Sequence, residues 1–317
     1  TLPLSGSLSP LVSPPNPTMT NIVPADQLLV NNLLRPNNIE VRERIGKGAY
    51  SNVWLAYSGP LGKQVAVKSI DTSISSEYVR RFLPRELQVV QSITHDNIIK
   101  VHQVITPSSS QVLLIQEYGE NGDLLQKIKR DTRIPEVESR GIFGQLIAAL
   151  EYLSSRRIVH RDVKCENIML DACDNVKLGD FGFARFMRPN EVSKTFCGSR
   201  AYVAPEILTG TAYTGFTVDV WSAGVVLYVM VTGVMPYDDR KPRKMLERMT
   251  AHRVRFPTML PLSVEVRTLI HDILHPVPAS RLTYAQMASS RWLAGTPYAM
   301  RTERTELRGE STQQSED

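Results

Sequence analysis

The stretch His160-Arg161-Asp162-Val163-Lys164-Cys165-Glu166-Asn167, followed after a short apolar run by Asp180-Phe181-Gly182, decides which fold this chain can have. It places two carboxylates, an amide and an ammonium group on two neighbouring loops. Two acids with separate tasks, one beside a nucleophile and one on a metal ion, suit phosphoryl transfer from a nucleotide. The rest of the chain is consistent with support for such a site.

The composition is that of a folded protein with one large or two modest domains. Of the 317 residues, 42% are hydrophobic, which allows a sizeable core. The net charge of +5 is spread along the chain without a basic run, so we expect no nucleic-acid partner. The three cysteines have no C-x-x-C spacing, which disfavours disulfides and structural zinc and fits a reducing, cytoplasmic compartment.

The two ends of the chain differ in composition from its middle. Residues 1–38 are rich in Pro, Ser and Asn, which predicts a flexible arm, and they show no signal-peptide pattern. Residues 294–317 carry mixed charges and predict a disordered tail. The longest apolar run, 224–235, is shorter than the ~20 residues of a membrane span, so it predicts a buried helix and no membrane partner.

A glycine-bearing turn between two predicted strands follows the arm. Gly46-Lys47-Gly48-Ala49-Tyr50-Ser51-Asn52-Val53 lies between alternating residues 41–45 and a second strand, 53–57. Backbone N–H groups can approach phosphates at such a turn, although ordinary hairpins also use glycine. Ser51 replaces the third glycine of G-x-G-x-x-G, and the segment is not a Walker A loop because no Gly-Lys-Ser/Thr opens a helix.

Lys68 ends the apolar strand Val65-Ala66-Val67, and Glu86 lies in a predicted helix with Pro84 in its first turn. The lysine is either an edge residue with its amine in water or a buried ammonium that holds phosphates. A buried ammonium needs a carboxylate partner, and Glu86 is the candidate. After a strand at 112–116 the pattern becomes helical, with an apolar stripe that predicts a core helix at Ile142, Leu146, Leu150 and Leu153.

These motifs, together with Ala204-Pro205-Glu206, stand in the order and rough spacing of the eukaryotic protein kinases, which the chain resembles over about residues 39–292. The resemblance implies an α+β, bilobal kinase fold over 39–293. A small β-rich N-lobe with one key helix, 39–119, would precede a larger helical C-lobe, 120–293.

The resemblance also implies the catalytic roles. Asp162 would orient the substrate hydroxyl and accept its proton, and Lys164, typical of serine/threonine kinases, would meet the transferred phosphoryl group. Asn167 and Asp180 would hold Mg²⁺, while Lys68, held by Glu86, would meet the phosphates of ATP. The implied ATP-binding residues are Ile45, Gly46, Lys47, Gly48, Ala49, Tyr50, Ser51, Asn52, Val53, Ala66, Lys68, Glu117 and Gly119.

Regulation and support follow from the same resemblance. Arg161 implies control by phosphorylation of the activation loop, where Thr195 is the best site by position and Ser193 is the second candidate. Ser199 keeps a hydroxyl that can bond Asp162 and Lys164.

Two further features are implied to be structural. Glu206 would pair with Arg281, and Asp219 would bond the backbone of the catalytic loop. Gln116, at the back of the nucleotide pocket, bears on inhibitor preference rather than activity.

The chain is most similar in detail to the testis-specific serine/threonine kinases of the calcium/calmodulin-dependent-like group. The segments that carry this similarity include 162–167, with its unusual Cys165, and 193–199. The family implies a role in spermatid development and a cytoplasmic or flagellar setting.

A monomeric, Mg-ATP-dependent enzyme that phosphorylates Ser/Thr of protein substrates is therefore the leading hypothesis, and a pseudokinase scaffold is the alternative. The expected partners are protein substrates with basic residues upstream of the Ser/Thr acceptor, an upstream activating kinase and a chaperone. A pseudokinase usually lacks at least one residue of a catalytic set of five, and all five are present here, which favours activity over a scaffold: Lys68, Glu86, Asp162, Asn167 and Asp180.

Overall fold

The computed structural model describes residues 24–48, 50–74, 76–188, 191–193, 195, 197–296 and 300–301. The first part of this described chain is built on one antiparallel sheet, and the second part is mainly helical. The predicted division into a β-rich and a helical half is confirmed.

The sheet has five strands in the order β1-β2-β3-β5-β4. The strands are β1 (Ile39–Lys47), β2 (Ser51–Ser58), β3 (Lys63–Asp71), β4 (Val101–Ser108) and β5 (Gln111–Gln116). The glycine-bearing turn joins β1 to β2, as the alternation of residues 41–45 predicts. Lys68 lies on the central strand, opposite Val53 of β2 and Leu114 of β5, so its position is fixed from both sides.

The prediction of a flexible arm over residues 1–38 is wrong for residues 24–38, and residues 1–23 lie outside the described part of the chain. Helix α1 (Ala25–Leu34) and a 3₁₀ turn (Arg35–Asn37) precede β1. Val30 and Leu34, one turn apart, are buried against an apolar face of the sheet that includes Trp54. The averaged Pro/Ser/Asn composition masked this short apolar stripe, which folds because the sheet offers a matching face.

The key helix of the first part is α2 (Leu83–Ser92), which has Pro84 in its first turn as predicted. A five-residue π-helical segment, Tyr78–Phe82, leads into it. Val89 and Val90 bury the inner face of α2, and Glu86 on the same helix is only 2% exposed. The helix therefore brings a carboxylate into the interior beside the central strand.

The helical part packs around two long helices. Its helices are α3 (Leu124–Asp131), α4 (Glu136–Ser155), α5 (Pro205–Leu208), α6 (Gly215–Thr232), α7 (Pro242–Thr250), α8 (Val264–Ile273) and α9 (Tyr284–Ala288), with 3₁₀ turns at Cys165–Asn167 and Pro278–Ser280. The stripe predicted on α4 is buried throughout. Among the described residues, α6 alone is long and apolar enough to cross a membrane, but 89% of it is buried within the fold.

Short strands frame the two loops that carry the polar motifs. They are β6 (Ile158–Val159), β7 (Ile168–Leu170), β8 (Val176–Leu178), β9 (Arg185–Phe186), β10 (Val192–Ser193) and β11 (Tyr213–Thr214). Strands β7 and β8 form an antiparallel hairpin, and β6 pairs with β9. The loop from β6 to β7 and the loop after β8 therefore emerge side by side.

A disordered tail is predicted for residues 294–317. Within it, residues 300 and 301 form contacts with the rest of the fold, whereas 297–299 and 302–317 lie outside the described residues. The side chain of Asn97 donates to the Met300 sulfur at 3.2 Å. The side-chain amide of Asn175 forms two hydrogen bonds with the main chain of Arg301. Tertiary contacts with two buried amides thus order a segment whose composition predicts disorder.

Candidate active site

The two polar loops are held in unusual backbone conformations. Arg161 has a φ of 66° and Asp180 a φ of 53°, both in the left-handed region that non-glycine residues seldom adopt. Such strain persists only where the surrounding structure imposes it, and it concentrates at functional sites. Asp219 is the restraint on the first loop, because its Oδ2 accepts from His160 N at 2.7 Å and its Oδ1 from Arg161 N at 2.8 Å.

Lys68 joins the sheet, α2 and the loop after β8. Its Nζ lies 2.7 Å from Glu86 Oε1 and 2.9 Å from Asp180 Oδ1. The Lys68 ammonium lowers the pKa of Asp180 to about 2. Burial disfavours the Lys68 ammonium, but the two carboxylates outweigh it, so the pKa of Lys68 lies well above its ordinary value. Lys68 and Asp180 are therefore both charged at neutral pH.

Asp162 is the centre of a second polar group on the first loop, and it is 5% exposed. Its Oδ2 accepts from Lys164 Nζ at 2.7 Å and Asn167 Nδ2 at 3.1 Å. Its Oδ1 accepts from Ser199 N at 2.9 Å and Ser199 Oγ at 3.1 Å. Lys164 also donates to Ser199 Oγ at 3.0 Å, so both contacts expected of Ser199 are present.

A packed layer beneath the loops ties the two groups together. The His160 ring stands 4.9 Å from the Phe181 ring, and His160 Nε2 lies 3.0 Å from Gly179 O. Burial raises the pKa of Asp219, although hydrogen bonds from the backbone oppose this. The loop that carries Asp162 and the loop that carries Asp180 are thus parts of one buried unit.

The glycine-bearing turn covers this unit from the sheet side. Gly48 N donates to Ser51 O at 2.7 Å, and a Cβ atom on Gly48 would lie 3.0 Å from Ser51 Oγ, so the turn is tight enough to favour glycine. The structure places Ile45, Gly46 and Lys47 on β1, Ser51, Asn52 and Val53 on β2, Ala66 and Lys68 on β3, and Gly48 and Tyr50 in the turn. Ala49 lies outside the described residues.

The link between the two halves lies opposite the turn. Glu117 N donates to Lys100 O at 2.8 Å, and the Glu117 side chain pairs with Lys177 at 2.8 Å. The Glu117 carboxylate is thus engaged by Lys177, which leaves its carbonyl as the group that could face a ligand. Gly119 is tightly packed, since a Cβ atom there would lie 2.8 Å from Met169 Cβ.

A cationic pocket faces the segment that contains Thr195. The terminal nitrogens of Arg161 are buried and form no hydrogen bond with the described residues. The pKa of Arg85 is lowered by burial and then by repulsion from Arg185, Arg81 and Arg161. Arg81 Nη2 lies 3.4 Å from Thr195 Oγ1. The pocket therefore holds more positive than negative charge, in spite of the ion pair between Arg185 and Glu191.

Glu206 and Arg281 form a two-bond ion pair within the helical part. Both nitrogen-to-oxygen distances are 2.7 Å, and the guanidinium also lies over the Trp221 ring at 5.0 Å. Both side chains are nearly inaccessible to solvent. The pair lies away from the polar groups around Asp162 and has a supporting position.

Several residues of the site are not predicted by the sequence patterns. Tyr78 donates to Glu86 Oε2, and Arg81, Arg85 and Arg185 build the cationic pocket. No local pattern pointed to Tyr78, because the π-helical turn breaks the spacing on which helix periodicity depends. The arginines are far apart in sequence or spread over exposed helix positions, so only their clustering in space identifies them.

Known proteins are similar to this chain in sequence. The protein kinase domain family matches residues 39–293. Testis-specific serine/threonine-protein kinase 2 of Mus musculus is 43% identical over 267 residues, covering 82% of this chain and 75% of that protein. Testis-specific serine/threonine-protein kinase 3 of Homo sapiens is 38% identical over 270 residues, covering 84% of this chain and 100% of that protein.

A wider similarity extends to serine/threonine-protein kinase SIK1 of Mus musculus, which is 38% identical over 83% of this chain but only 34% of that protein. The predicted bilobal fold and the predicted resemblance to the testis-specific kinases are confirmed. The matched domain and the relatives, added to the sheet, the key helix and the two polar loops, show that this chain belongs to the protein kinase family and is a serine/threonine protein kinase.

Proposed function

We propose that this kinase transfers the γ-phosphoryl group of Mg-ATP to Ser/Thr hydroxyls of proteins with the residues gathered in the cleft between the two halves. The observation that carries the proposal is the contact of Lys68 with both Glu86 and Asp180, at 2.7 and 2.9 Å. This contact assembles the phosphate-holding lysine and a metal-type carboxylate from three separate elements. A scaffold without transfer activity has no need of that arrangement.

The donor groups in the cleft fit a nucleotide-bound magnesium ion. Lys68 Nζ donates to Asp180 Oδ1, which leaves Oδ2 for a cation, and the Asp180 side chain is 47% exposed. Asn167 directs its Nδ2 to Asp162, which leaves its amide oxygen for the same cation. Hard cations prefer oxygen ligands and take the remainder from phosphates and water. No cluster of three or more ligating side chains exists among the described residues, in keeping with a metal that arrives with the nucleotide.

The nucleotide itself has three further contacts in this proposal. The glycine-bearing turn between β1 and β2 would cover the phosphates, and Ala66, which is opposite Gln116 in the sheet, would lie beneath the base. Main-chain groups of Glu117 and Gly119 bind the adenine edge. A magnesium ion held by Asn167 and Asp180 would supply positive charge to the phosphates.

Asp162 and Lys164 act on the acceptor side. Asp162 orients the substrate hydroxyl and accepts its proton, and its buried position between Lys164, Asn167 and Ser199 fixes the carboxylate for that task. Lys164, 2.7 Å from Asp162, balances negative charge beside the transferred group. Glu206, Arg281 and Asp219 hold the loops in place and touch no reactant.

We infer that phosphorylation of Thr195 activates the enzyme. The pocket formed by Arg81, Arg85, Arg161 and Arg185 has an excess of positive charge. The Arg161 Nε donates to Phe183 O, but its two buried terminal nitrogens have no hydrogen-bond partner among the described residues, so the pocket is suited to a phosphate dianion. Thr195 Oγ1 is within 3.4 Å of Arg81 and is partly exposed, whereas Ser193 is 4% exposed. An upstream kinase or the enzyme itself would supply the modification.

Substrates with basic residues N-terminal to the acceptor fit the acidic residues beside Cys165. Glu166 Oε2 is buried without a hydrogen-bond partner among the described residues. Burial raises the pKa of Cys165 to about 12, and Glu166 and Asp123 add to the rise, so both carboxylates lie near it. A guanidinium from a substrate would pair with the carboxylate of Glu166, a residue that is partly exposed. A peptide array without preference for upstream basic residues would contradict this.

The biological setting proposed is spermatid development in the cytoplasm or the sperm flagellum, supported by the names of the testis-specific relatives. We propose action as a monomer, with folding or activation assisted by a chaperone. Co-purification from testis with a stoichiometric partner, or expression confined to other tissues, would contradict these proposals.

The proposed chemistry is tested with the purified full chain, Mg-ATP and a Ser/Thr peptide library, with product sites mapped by mass spectrometry. Wild-type protein should phosphorylate Ser and Thr, and Asp162→Asn should lower turnover by about 10²–10⁴-fold. Nucleotide affinity of the variant, measured separately, should be unchanged. Near-normal turnover by Asp162→Asn would show that this carboxylate has a different role.

A further inference from the structure

Tyr78 lies where three parts of the nucleotide site meet. Its hydroxyl donates to Glu86 Oε2 at 2.5 Å. Its ring stacks on Tyr50 in the glycine-bearing turn, with centroids 5.3 Å apart and 7° between the planes. A Cβ atom on Gly182 would lie 3.5 Å from the Tyr78 ring, so the ring also packs against the segment that follows Asp180.

The hydroxyl completes the hydrogen bonding of a buried carboxylate. Glu86 is 2% exposed, and its two oxygens are divided between Lys68 and Tyr78. Burial raises the pKa of Tyr78 well above its ordinary value, so the phenol is a neutral donor at physiological pH. With one oxygen held by Tyr78, the Glu86 carboxylate has little freedom to rotate away from Lys68.

The π-helical segment explains how Tyr78 reaches Glu86. Residues eight apart on a regular α-helix are displaced by about 80° around the helix axis, because two turns span only about 7.2 residues. The wider turn at Tyr78–Phe82 takes up the additional residue before α2 begins. Tyr78 consequently faces the same interior as Glu86.

We propose that Tyr78 is a positioning residue for nucleotide binding, whose hydroxyl holds Glu86 against Lys68 and whose ring holds the glycine-bearing turn through Tyr50. This inference rests on the proposed use of Mg-ATP at the site. The hydroxyl acts on the lysine that meets the phosphates, and the ring acts on the turn that covers them. Both contributions affect ATP binding and leave the acceptor site untouched.

The hydroxyl is tested with Tyr78→Phe in the full chain, which keeps the ring and removes the donor. The KM for ATP should rise about tenfold, since a hydrogen bond to a charged group is lost, while the KM for the peptide stays at its wild-type value. Tyr57→Phe, on strand β2 with its ring beside Arg42 and away from Glu86, removes a tyrosine hydroxyl in the same way and should behave as wild type. A variant with the wild-type KM for ATP and only a lower kcat would overturn this part.

The ring is tested without nucleotide, by hydrogen exchange of the backbone amides at residues 50–53. Tyr78→Leu should exchange these amides at least several-fold faster than Tyr78→Phe, because only the former loses the stacked ring. Equal exchange in the two variants would overturn the ring contact. Wild-type protein that transfers no phosphoryl group would reject the proposed function instead, and the exchange comparison would still decide whether Tyr78 holds the turn.

Discussion

The buried side-chain amide of Asn175 forms two hydrogen bonds with Arg301, one with its main-chain N–H and one with its main-chain carbonyl. Arg301 N donates to Asn175 Oδ1 at 2.7 Å, and Asn175 Nδ2 donates to Arg301 O at 3.0 Å. Gln145 and Asp171 use the remaining capacity of the Asn175 amide. Strand β8 begins directly after Asn175 and leads to Asp180, so this contact secures the hairpin that carries a site residue.

Because Asn175 binds only the main chain of Arg301, two substitutions of Arg301 separate the contribution of these hydrogen bonds from that of the Arg301 side chain. Arg301→Pro removes the N–H donor and should lower the free energy of unfolding by about 1 kcal/mol. Arg301→Ala keeps the N–H and should have a smaller effect. Chemical denaturation of the full chain compares them, and equal stability of the two variants would mean that the pair contributes nothing.

The ion pair between Lys68 and Asp180 makes stability depend on pH in the acid range. The folded-state pKa of Asp180 is about 2, below the ordinary value of 3.8, so the pair stabilises the protein above that ordinary value. This contribution should be lost as pH falls from about 4 towards about 2. Thermal unfolding of wild type and Asp180→Asn should therefore converge as the pH is lowered; a constant difference would contradict the assignment.

Thr195→Ala should sharply reduce activity, because the arginine pocket would lose the phosphate that orders the activation segment. Phosphatase treatment of active wild-type enzyme should reduce its rate to that of the variant. The same treatment should leave the variant unchanged, which controls for other phosphorylated sites. An unaltered rate in Thr195→Ala, with wild type phosphorylated at this position, would eliminate this switch.

Asn31 of α1 stabilises the edge of the sheet, since its Oδ1 accepts from Val41 N at 3.0 Å. Asn31→Ala should lower the free energy of unfolding by about 1 kcal/mol through loss of this hydrogen bond. Asn32, the adjacent residue, is exposed and provides the control substitution Asn32→Ala. Identical denaturation midpoints for the two variants would show that α1 does not secure β1.

The sequence by itself determined the kind of site and much of the secondary structure. The alternation at 41–45 predicts β1, and the stripe through Ile142 and Leu153 predicts the buried face of α4, because these periods are local properties of strands and helices. The motif order is sufficient to identify the fold, since it combines several chemical requirements in one chain. Composition averaged over residues 1–38, by contrast, concealed α1.

Only the tertiary structure decided which side chains meet. Lys68 and Asp180 are 112 positions apart and become neighbours through the packing of the sheet against the β7–β8 hairpin. The contact between Tyr78 and Glu86 depends on a π-helical turn that no periodic pattern predicts. Helix α1 packs against a face of the sheet whose buried residues come from β1, β2, β3 and β5. Each of these contacts joins residues that are far apart in sequence or that do not follow regular helix periodicity. It therefore stabilises the protein only when the whole domain is folded.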